Sequence, residues 1–348
     1  MRYYTDSGIS QIKAYVGAPV TNTCPSVVWL DLTSDCNLYC VTCRGRPTAR
    51  GRTMDGDLFR KVVDQTCHGV LLYALHGLGE SLLLMDFSER LEYVSRRKLP
   101  RAKLDLYTNG MLLSAQTAQL LLDHGVNVTV SFDGACAETF ERIRQGAEFG
   151  RVCRNLEKSS NLPDANSGPS SPGVHIAIQR DNWEELSEIV KLTHSLGAGR
   201  ISFDIVAGPD TTLCPPFDGS AADAIAEAIN LAEHLGMFVD GYPTRFGDMV
   251  WLDDTYAPAN RFAISTLCDA PYFSAFICWN GDVMPCCVGP VVLGNVNERD
   301  FAEIWGGEAY ENIRKDANDP ERMPDICRQC PLANRFLGHS SAMGSHRG

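Results

Sequence analysis

Three cysteines, Cys36, Cys40 and Cys43, lie in the spacing CxxxCxxC just after the apolar run Val27-Val28-Trp29-Leu30. Three thiolates on one short loop can hold three irons of a [4Fe-4S] cube and leave the fourth without a protein ligand. An open iron is a place for chemistry, whereas a fully ligated cube mainly stores or transfers electrons. Other polar groups end apolar runs further along the chain. Gly77-Leu78-Gly79-Glu80 follows Leu71 to Leu75, Thr108-Asn109-Gly110 follows Lys103 to Tyr107, and Ser131-Phe132-Asp133-Gly134 closes the run from Val126. Each read alone is a polar turn at a strand end. The two glycines also permit close backbone approach, and Glu80 is able to accept a hydrogen bond from an ammonium group. Gln179-Arg180-Asp181-Asn182 adds Arg180 after a fifth run.

Alternating elements must carry these groups. Strands are expected at 27–32, 71–75, 103–107, 126–132, 174–179 and 201–206, and helices at 56–67, 87–96, 114–122, 184–196 and 221–235. In the helix over 184–196, Leu186, Ile189, Val190 and Leu196 share one side, as an amphipathic helix requires. Short apolar strands separated by helices predict parallel β/α architecture, with ligand groups at the C-terminal strand ends. Residues 159–173, rich in Ser, Pro, Gly and Asn, read as a surface loop, and residues 207–220 as a loop over the site.

Bulk properties narrow the function classes. The chain has 348 residues, enough for one substantial core and an annex, and a net charge of -12. No surplus of cations is available for a nucleic-acid backbone, so nucleic acid is not an expected partner. No apolar stretch is long enough to span a membrane, and residues 1–6 lack the apolar core of a signal peptide, so the expected location is cytoplasmic. Fourteen cysteines admit a disulfide framework as an alternative, and zinc as another. Tight clustering of the cysteines without export features favours iron.

The CxxxCxxC loop after a strand, with Tyr39 before the middle cysteine, resembles the radical SAM superfamily. The resemblance implies an α/β fold, a partial (β/α)6 TIM-like barrel. It also implies that S-adenosylmethionine (SAM) chelates the open iron of a [4Fe-4S] cluster held by Cys36, Cys40 and Cys43 and is cleaved to a 5'-deoxyadenosyl radical. Gly77, Gly79 and Glu80 then match the motif that contacts the SAM amino group. Asn109, Ser131 and Asp133 are candidates for the SAM carboxylate, its ribose or the substrate. Arg180 is a candidate for the SAM carboxylate or an anionic substrate.

A second constellation runs Cys268, Gly281 after twelve residues and Cys286 after four more, then Gly294-Asn295-Val296, Phe301 to Trp305 and Cys327-Arg328-Gln329-Cys330. It resembles the SPASM and twitch domains. That likeness implies a small twitch-type iron–sulfur domain in which Cys268, Cys286, Cys327 and Cys330 fill a second [4Fe-4S] cluster. Cys287 and Cys278 stay open as substitutes for Cys286. The implied organisation is an N-terminal extension at 1–26, the barrel at 27–250, the twitch domain at 251–335 and a tail at 336–348.

Overall likeness to antibiotic-biosynthesis enzymes implies a small sugar or nucleoside substrate and a cellular electron donor such as flavodoxin or ferredoxin. Decarboxylation of cytosylglucuronate is the first expectation. Dehydrogenation of an aminocyclitol or sugar alcohol, with the auxiliary cluster as electron acceptor, and epimerisation, with Cys278 or Cys287 returning hydrogen, are the alternatives. A uronate carboxylate needs a cation, for which Arg180, Arg200 and Arg245 are candidates. Asp204, on the sixth strand, is a candidate contact for a hydroxyl.

Overall fold

The computed structural model describes residues 24–43, 51–162, 171–206, 211–216, 219–241, 245–246, 249–250, 268, 270–287, 291–328 and 330. Two compact units divide the chain. One takes the described residues of 1–36, 47–106 and 267–328. The other takes those of 37–46, 107–266 and 329–348. The division falls inside the cysteine loop, after Cys36, and inside β3, after Leu106.

In chain order the elements are β1 (Val27–Leu30), α1 (Gly56–Thr66), β2 (Leu72–Ala74), α2 (Phe87–Arg97), β3 (Lys103–Thr108), α3 (Ala115–Asp123), β4 (Val126–Ser131), α4 (Ala137–Ile143), α5 (Phe149–Ser160), β5 (Gly173–Ile178), α6 (Leu186–Ser195), β6 (Arg200–Ile205), α7 (Gly219–His234) and β7 (Phe238–Gly241). There follow β8 (Arg245–Phe246), β9 (Met249–Val250), α8 (Ala270–Phe273), β10 (Ser274–Ile277), β11 (Asp282–Met284), β12 (Gly294–Asn295), α9 (Phe301–Trp305), α10 (Glu308–Asp316) and α11 (Asp325–Arg328). The strand–helix alternation is that of the expected α/β fold.

In the first unit β1 lies parallel to both β2 and β10, and β2 is parallel to β3. The hairpin β10–β11 continues antiparallel into β12. β10 is thus a strand beside β1 that hydrophobic patterning did not reveal. Its register pairs Leu30 with Ile277, which sets the next residues, Asp31 and Cys278, at neighbouring strand ends. Gly281 has φ +89°, the left-handed conformation that closes this hairpin, with Cys278 N–H donating to Asp282 O.

Asp55 caps α1, its carboxylate accepting from the N–H groups of Asp57 and Leu58. At the other end Gln65 faces α9: its amide donates to Asp300 Oδ1 at 2.7 Å and accepts from Phe301 N at 2.8 Å. Phe301, Trp305 and Tyr310 are fully buried, and the Arg314 guanidinium sits 4.5 Å from the Trp305 ring and 4.8 Å from that of Tyr310. A cation over aromatic faces helps hold this small core.

In the second unit β4, β5, β6 and β7 are all parallel. Val130, Val174, Ile176, Ile178, Ile201 and Phe203 are fully buried on one face. The alternate residues Ser131, His175, Ala177 and Asp204 keep solvent exposure. Period-two alternation therefore separates an apolar, covered face from a polar one. Phe132, Phe140 and Phe149 pack with centroids 5.2–5.9 Å apart and tie α4 and α5 to the end of β4.

Residues 1–23 of the expected N-terminal extension, residues 251–267 and the expected tail at 336–348 lie outside the described residues. So do 163–170 of the expected surface loop and 207–210 and 217–218 of the expected loop over the site. Among the described residues no helix is long and apolar enough to cross a membrane.

Candidate functional site

In the first unit the Gly-Leu-Gly-Glu turn lies on the segment that leads into Cys36. Leu78 N donates to Asp31 Oδ1 at 2.9 Å, and Glu80 N donates to Asp35 O at 2.7 Å. A Cβ on Gly77 would stand 2.0 Å from Asp31 Oδ1, and one on Gly79 2.2 Å from Thr33 O and 2.5 Å from Asp35 O. A side chain is excluded at Gly79 by backbone and at Gly77 by the Asp31 carboxylate and its Cα. The sequence assigned these glycines to SAM; the structure adds that they clamp the start of the cysteine loop. Glu80 is 2% exposed and its Oε1 accepts from Leu82 N, capping the short turn Ser81–Leu83.

Asp31 is the buried centre of this arrangement. Burial pushes its carboxyl up to about 6, opposed by the hydrogen bond from Leu78 N. Burial, with Asp31 and Asp282 nearby, pushes the Cys278 thiol up to about 12. Neither aspartate had a role in the sequence reading. The signal for Asp31 was its place as a charge directly after the apolar run Val27–Leu30, ahead of the cysteine loop.

In the second unit the rest of the cysteine loop is laced to the end of α4. Tyr39 N donates to Gln145 O at 2.8 Å and Val41 N to Ile143 O at 2.9 Å. This antiparallel pairing sets Arg144 opposite Cys40. Arg144 Nη1 donates to Cys40 Sγ at 3.9 Å, and Arg144 Nη2 pairs with Asp133 Oδ2 at 2.7 Å. Asp133 is 1% exposed, and its Oδ1 accepts from Ala177 N at 2.8 Å. Asn182, fully buried, donates to the carbonyls of Asp133 and Ala177 and accepts from Gln179 N. Asn109 Nδ2 donates to Asn37 Oδ1 at 2.8 Å, inside the cysteine loop, while Asn109 Oδ1 accepts from Met111 N. Asp133 and Asn109, read from sequence as candidate contacts for SAM or the substrate, have side chains engaged in holding the loop.

The polar face of the parallel strands forms a second group. Register places Ser131 beside His175 and His175 beside Ser202. His175 Nδ1 lies 3.0 Å from Ser202 Oγ, and His175 Nε2 lies 3.8 Å from Asp204 Oδ2. The Tyr107 ring meets the imidazole edge-on at 5.5 Å. The Asp204 side chain is 67% exposed, so a carboxylate backed by an imidazole faces solvent at a C-terminal strand end. Sequence reading found Ser131 and Asp204 but not His175, Ser202 or Tyr107. His175 is the one polar residue in Gly-Val-His-Ile-Ala-Ile, which was the available signal.

The candidate cations part company. Arg180 is exposed, with its N–H donating to Leu213 O. Arg200 is 7% exposed, and its guanidinium donates to Ser171 O and Val128 O, which corrects the expectation that it binds a carboxylate. Two backbone carbonyls at the bottom of the parallel strands take that charge. Arg245 lies in β8, and its side chain is outside the described residues.

Among the described residues no cysteine forms a disulfide. No group of three His, Cys, Asp or Glu side chains there converges as a site for one metal ion. A cube binds its thiolates through separate irons, so its ligands need not meet at one point. The donor set fits such a cube: thiols on one braced loop, with a guanidinium against one sulfur. Cys268 is braced as well, since Asn318 Oδ1 accepts from its N–H and Asn318 Nδ2 donates to its carbonyl. Cys286 and Cys287 follow β11 and are half-buried, Cys327 follows the turn from Pro324, and Cys330 is buried.

Residues 30–193 match the radical SAM superfamily, and residues 268–331 match SPASM, an iron–sulfur cluster-binding domain. The chain is 27% identical over 340 residues to the AdoMet-dependent heme synthase of Methanosarcina barkeri, covering 89% of each. It is 26% identical over 351 residues to the mycofactocin maturase MftC of Mycolicibacterium smegmatis, covering 94% of this chain and 82% of the relative. The crystal structure of BtrN in complex with AdoMet and 2-DOIA superimposes with a TM-score of 0.50 at 18% identity, over 87% of this chain and 91% of BtrN. The two matched domains imply SAM and two iron–sulfur clusters as cofactors. The chain belongs to the radical SAM superfamily and carries an SPASM iron–sulfur domain after its radical SAM domain.

Proposed function

We propose that this radical SAM enzyme decarboxylates a nucleoside uronate, with cytosylglucuronate as substrate. Bound SAM supplies the radical that removes a hydrogen atom, here from C4' beside the carboxylated C5'. The chain's own residues then manage protons and charge. Asp204 and His175, 3.8 Å apart on β6 and β5, are the observation on which the reading rests. Asp204 accepts a hydrogen bond from the substrate hydroxyl, and His175 takes up or relays its proton, as a general base at a strand end does. Loss of that proton assists departure of the neighbouring carboxylate. The hydrogen and protons returned afterwards leave the conversion redox-neutral. Arg180, exposed after β5, and Arg245 are the proposed cations for the substrate carboxylate.

Cys36, Cys40 and Cys43 are the proposed ligands of the SAM-binding cluster. Cys268, Cys286, Cys327 and Cys330 are those of the auxiliary cluster. Gly77, Gly79, Glu80 and Ser131 stay as proposed SAM contacts. A flavodoxin or ferredoxin is the proposed electron donor.

The second reading is dehydrogenation of a sugar alcohol or aminocyclitol, which uses the same proton acceptor and gives an electron to the auxiliary cluster. The likeness to BtrN, solved with a small ligand besides AdoMet, favours it over epimerisation. An anaerobic assay of reduced, reconstituted enzyme with SAM and cytosylglucuronate, read by mass spectrometry, separates these outcomes. A product lighter by carbon dioxide, absent with C36A, supports decarboxylation. SAM cleavage with the nucleoside unchanged refutes it and directs the assay to aminocyclitols.

A further inference from the structure

The contact between Arg144 and Cys40 has no counterpart in the reading of the strand-end motifs. Arg144 lies between two partners, Cys40 Sγ at 3.9 Å and the Asp133 carboxylate at 2.7 Å. Its side chain is 10% exposed, and that of Asp133 2%. Both ends of the bridge are anchored by backbone. Cys40 and Arg144 stand opposite each other between the hydrogen bonds Tyr39 N to Gln145 O and Val41 N to Ile143 O. Asp133 is fixed through Ala177 N to β5. Such a bridge is costly to bury unless every charge is matched, since removing one partner leaves the other uncompensated.

We propose that Arg144, oriented by Asp133, is a positioning residue that sets the reduction potential of the cluster held in part by Cys40. This inference rests on the assignment of Cys40 as a cluster ligand. The potential of an iron–sulfur cluster responds to net charge and to hydrogen bonds on its sulfurs, more strongly where solvent is excluded. A guanidinium at a ligand sulfur favours the reduced cluster, which carries one more negative charge. The Asp133 carboxylate, one step further away, offsets part of that effect. Removing the cation lowers the potential, and removing the anion raises it. Two variants that break the same ion pair thus move the cluster in opposite directions, which a purely structural role would not do.

The experiment uses full-length reconstituted protein without substrate. Potentials are read by electron paramagnetic resonance as dithionite supplies electrons stepwise. The signal followed is the one that changes on adding SAM, which separates it from the auxiliary cluster. R144Q is expected to lower the potential by at least a tenfold change in the reduction equilibrium, about 59 mV for one electron. D133N keeps an acceptor for Ala177 N and is expected to raise it. R144K, which keeps the charge, is expected to stay near the wild type. Shifts of R144Q and D133N in the same direction, or no shift in either, overturn the proposal. Should R144Q not fold, D133N decides: an upward shift supports the proposal, and an unchanged or lower potential overturns it. A wild-type protein with no SAM-sensitive signal overturns the cluster assignment itself, and this inference with it.

Discussion

Replacing Asp31 by asparagine should stabilise the protein at neutral pH, although it touches a buried residue of the first unit. Burial lifts the Asp31 carboxyl from an ordinary value of 3.8 to about 6. Between those values the folded chain keeps a proton that the unfolded chain has released. Stability therefore falls as pH rises from about 4 to 6, and the loss is complete above the folded value. At ~1.4 kcal/mol per pH unit separating the two values, the ionised carboxylate costs about 3 kcal/mol. An amide carries no such cost, and its oxygen still accepts the hydrogen bond from Leu78 N that Asp31 Oδ1 accepts at 2.9 Å. Cys278, the neighbouring thiol, is pushed up to about 12 and keeps its proton throughout.

Urea unfolding of cluster-free wild type and D31N, at pH 5 and pH 7.5, measures the effect. The variant should gain about 3 kcal/mol at the higher pH and roughly half of that at the lower. An equal difference at both values refutes the burial argument, because a packing change has no reason to follow protonation. A variant less stable at pH 7.5 refutes it as well, since the carboxylate would then be contributing more through its hydrogen bond than burial takes away.

Four further perturbations address other parts of the chain. G79A drives a methyl against Thr33 O and Asp35 O and should cost about 1–3 kcal/mol, with less iron bound after reconstitution. G125A, at φ +64° in open space, should cost about 1–2 kcal/mol from the left-handed backbone alone and leave iron content unchanged. R314M removes a cation from the faces of Trp305 and Tyr310 and a donor from Pro271 O. It should lower stability by about 2–4 kcal/mol, visible in denaturation followed by tryptophan fluorescence. D204N should lower turnover about 10²–10⁴-fold while SAM binding, followed by the cluster's magnetic signal, is unchanged. Full activity in that variant removes Asp204 from the proton path.

The β/α alternation was legible because burial writes a period of two or 3.6 into each element. Helices at 56–66 and 87–97 and strands at 103–108 and 126–131 depart from expectation by only a residue or two. Both cysteine constellations were legible because ligand identity and spacing are local properties. β10 was not, since Ser-Ala-Phe-Ile is short and its partner β1 lies far away in sequence. Arg200 carried no local mark either: the carbonyls that take its charge come from Val128 and Ser171.

The strand-end motifs show why residue type alone does not separate a ligand contact from a scaffold role. Asp133, Asn109 and Glu80 are polar, buried and set at strand ends, as ligands of a cofactor would be. Their hydrogen bonds run to Arg144 and Ala177 N, to Asn37 and Met111 N, and to Leu82 N. A loop that must present thiolates cannot be packed like a core, because its sulfurs have to stay accessible to iron. Rigidity then has to come from hydrogen bonds supplied by neighbouring strand ends. Asp133 and Asn109, which a sequence reading offers to SAM or the substrate, are by this reasoning residues that help fix where the cysteines stand, while Glu80 stays a proposed SAM contact. Ser131 and Asp204 differ from them in keeping exposure, and it is exposure at a strand end, more than polarity, that separates a group able to meet a ligand from one that holds the scaffold.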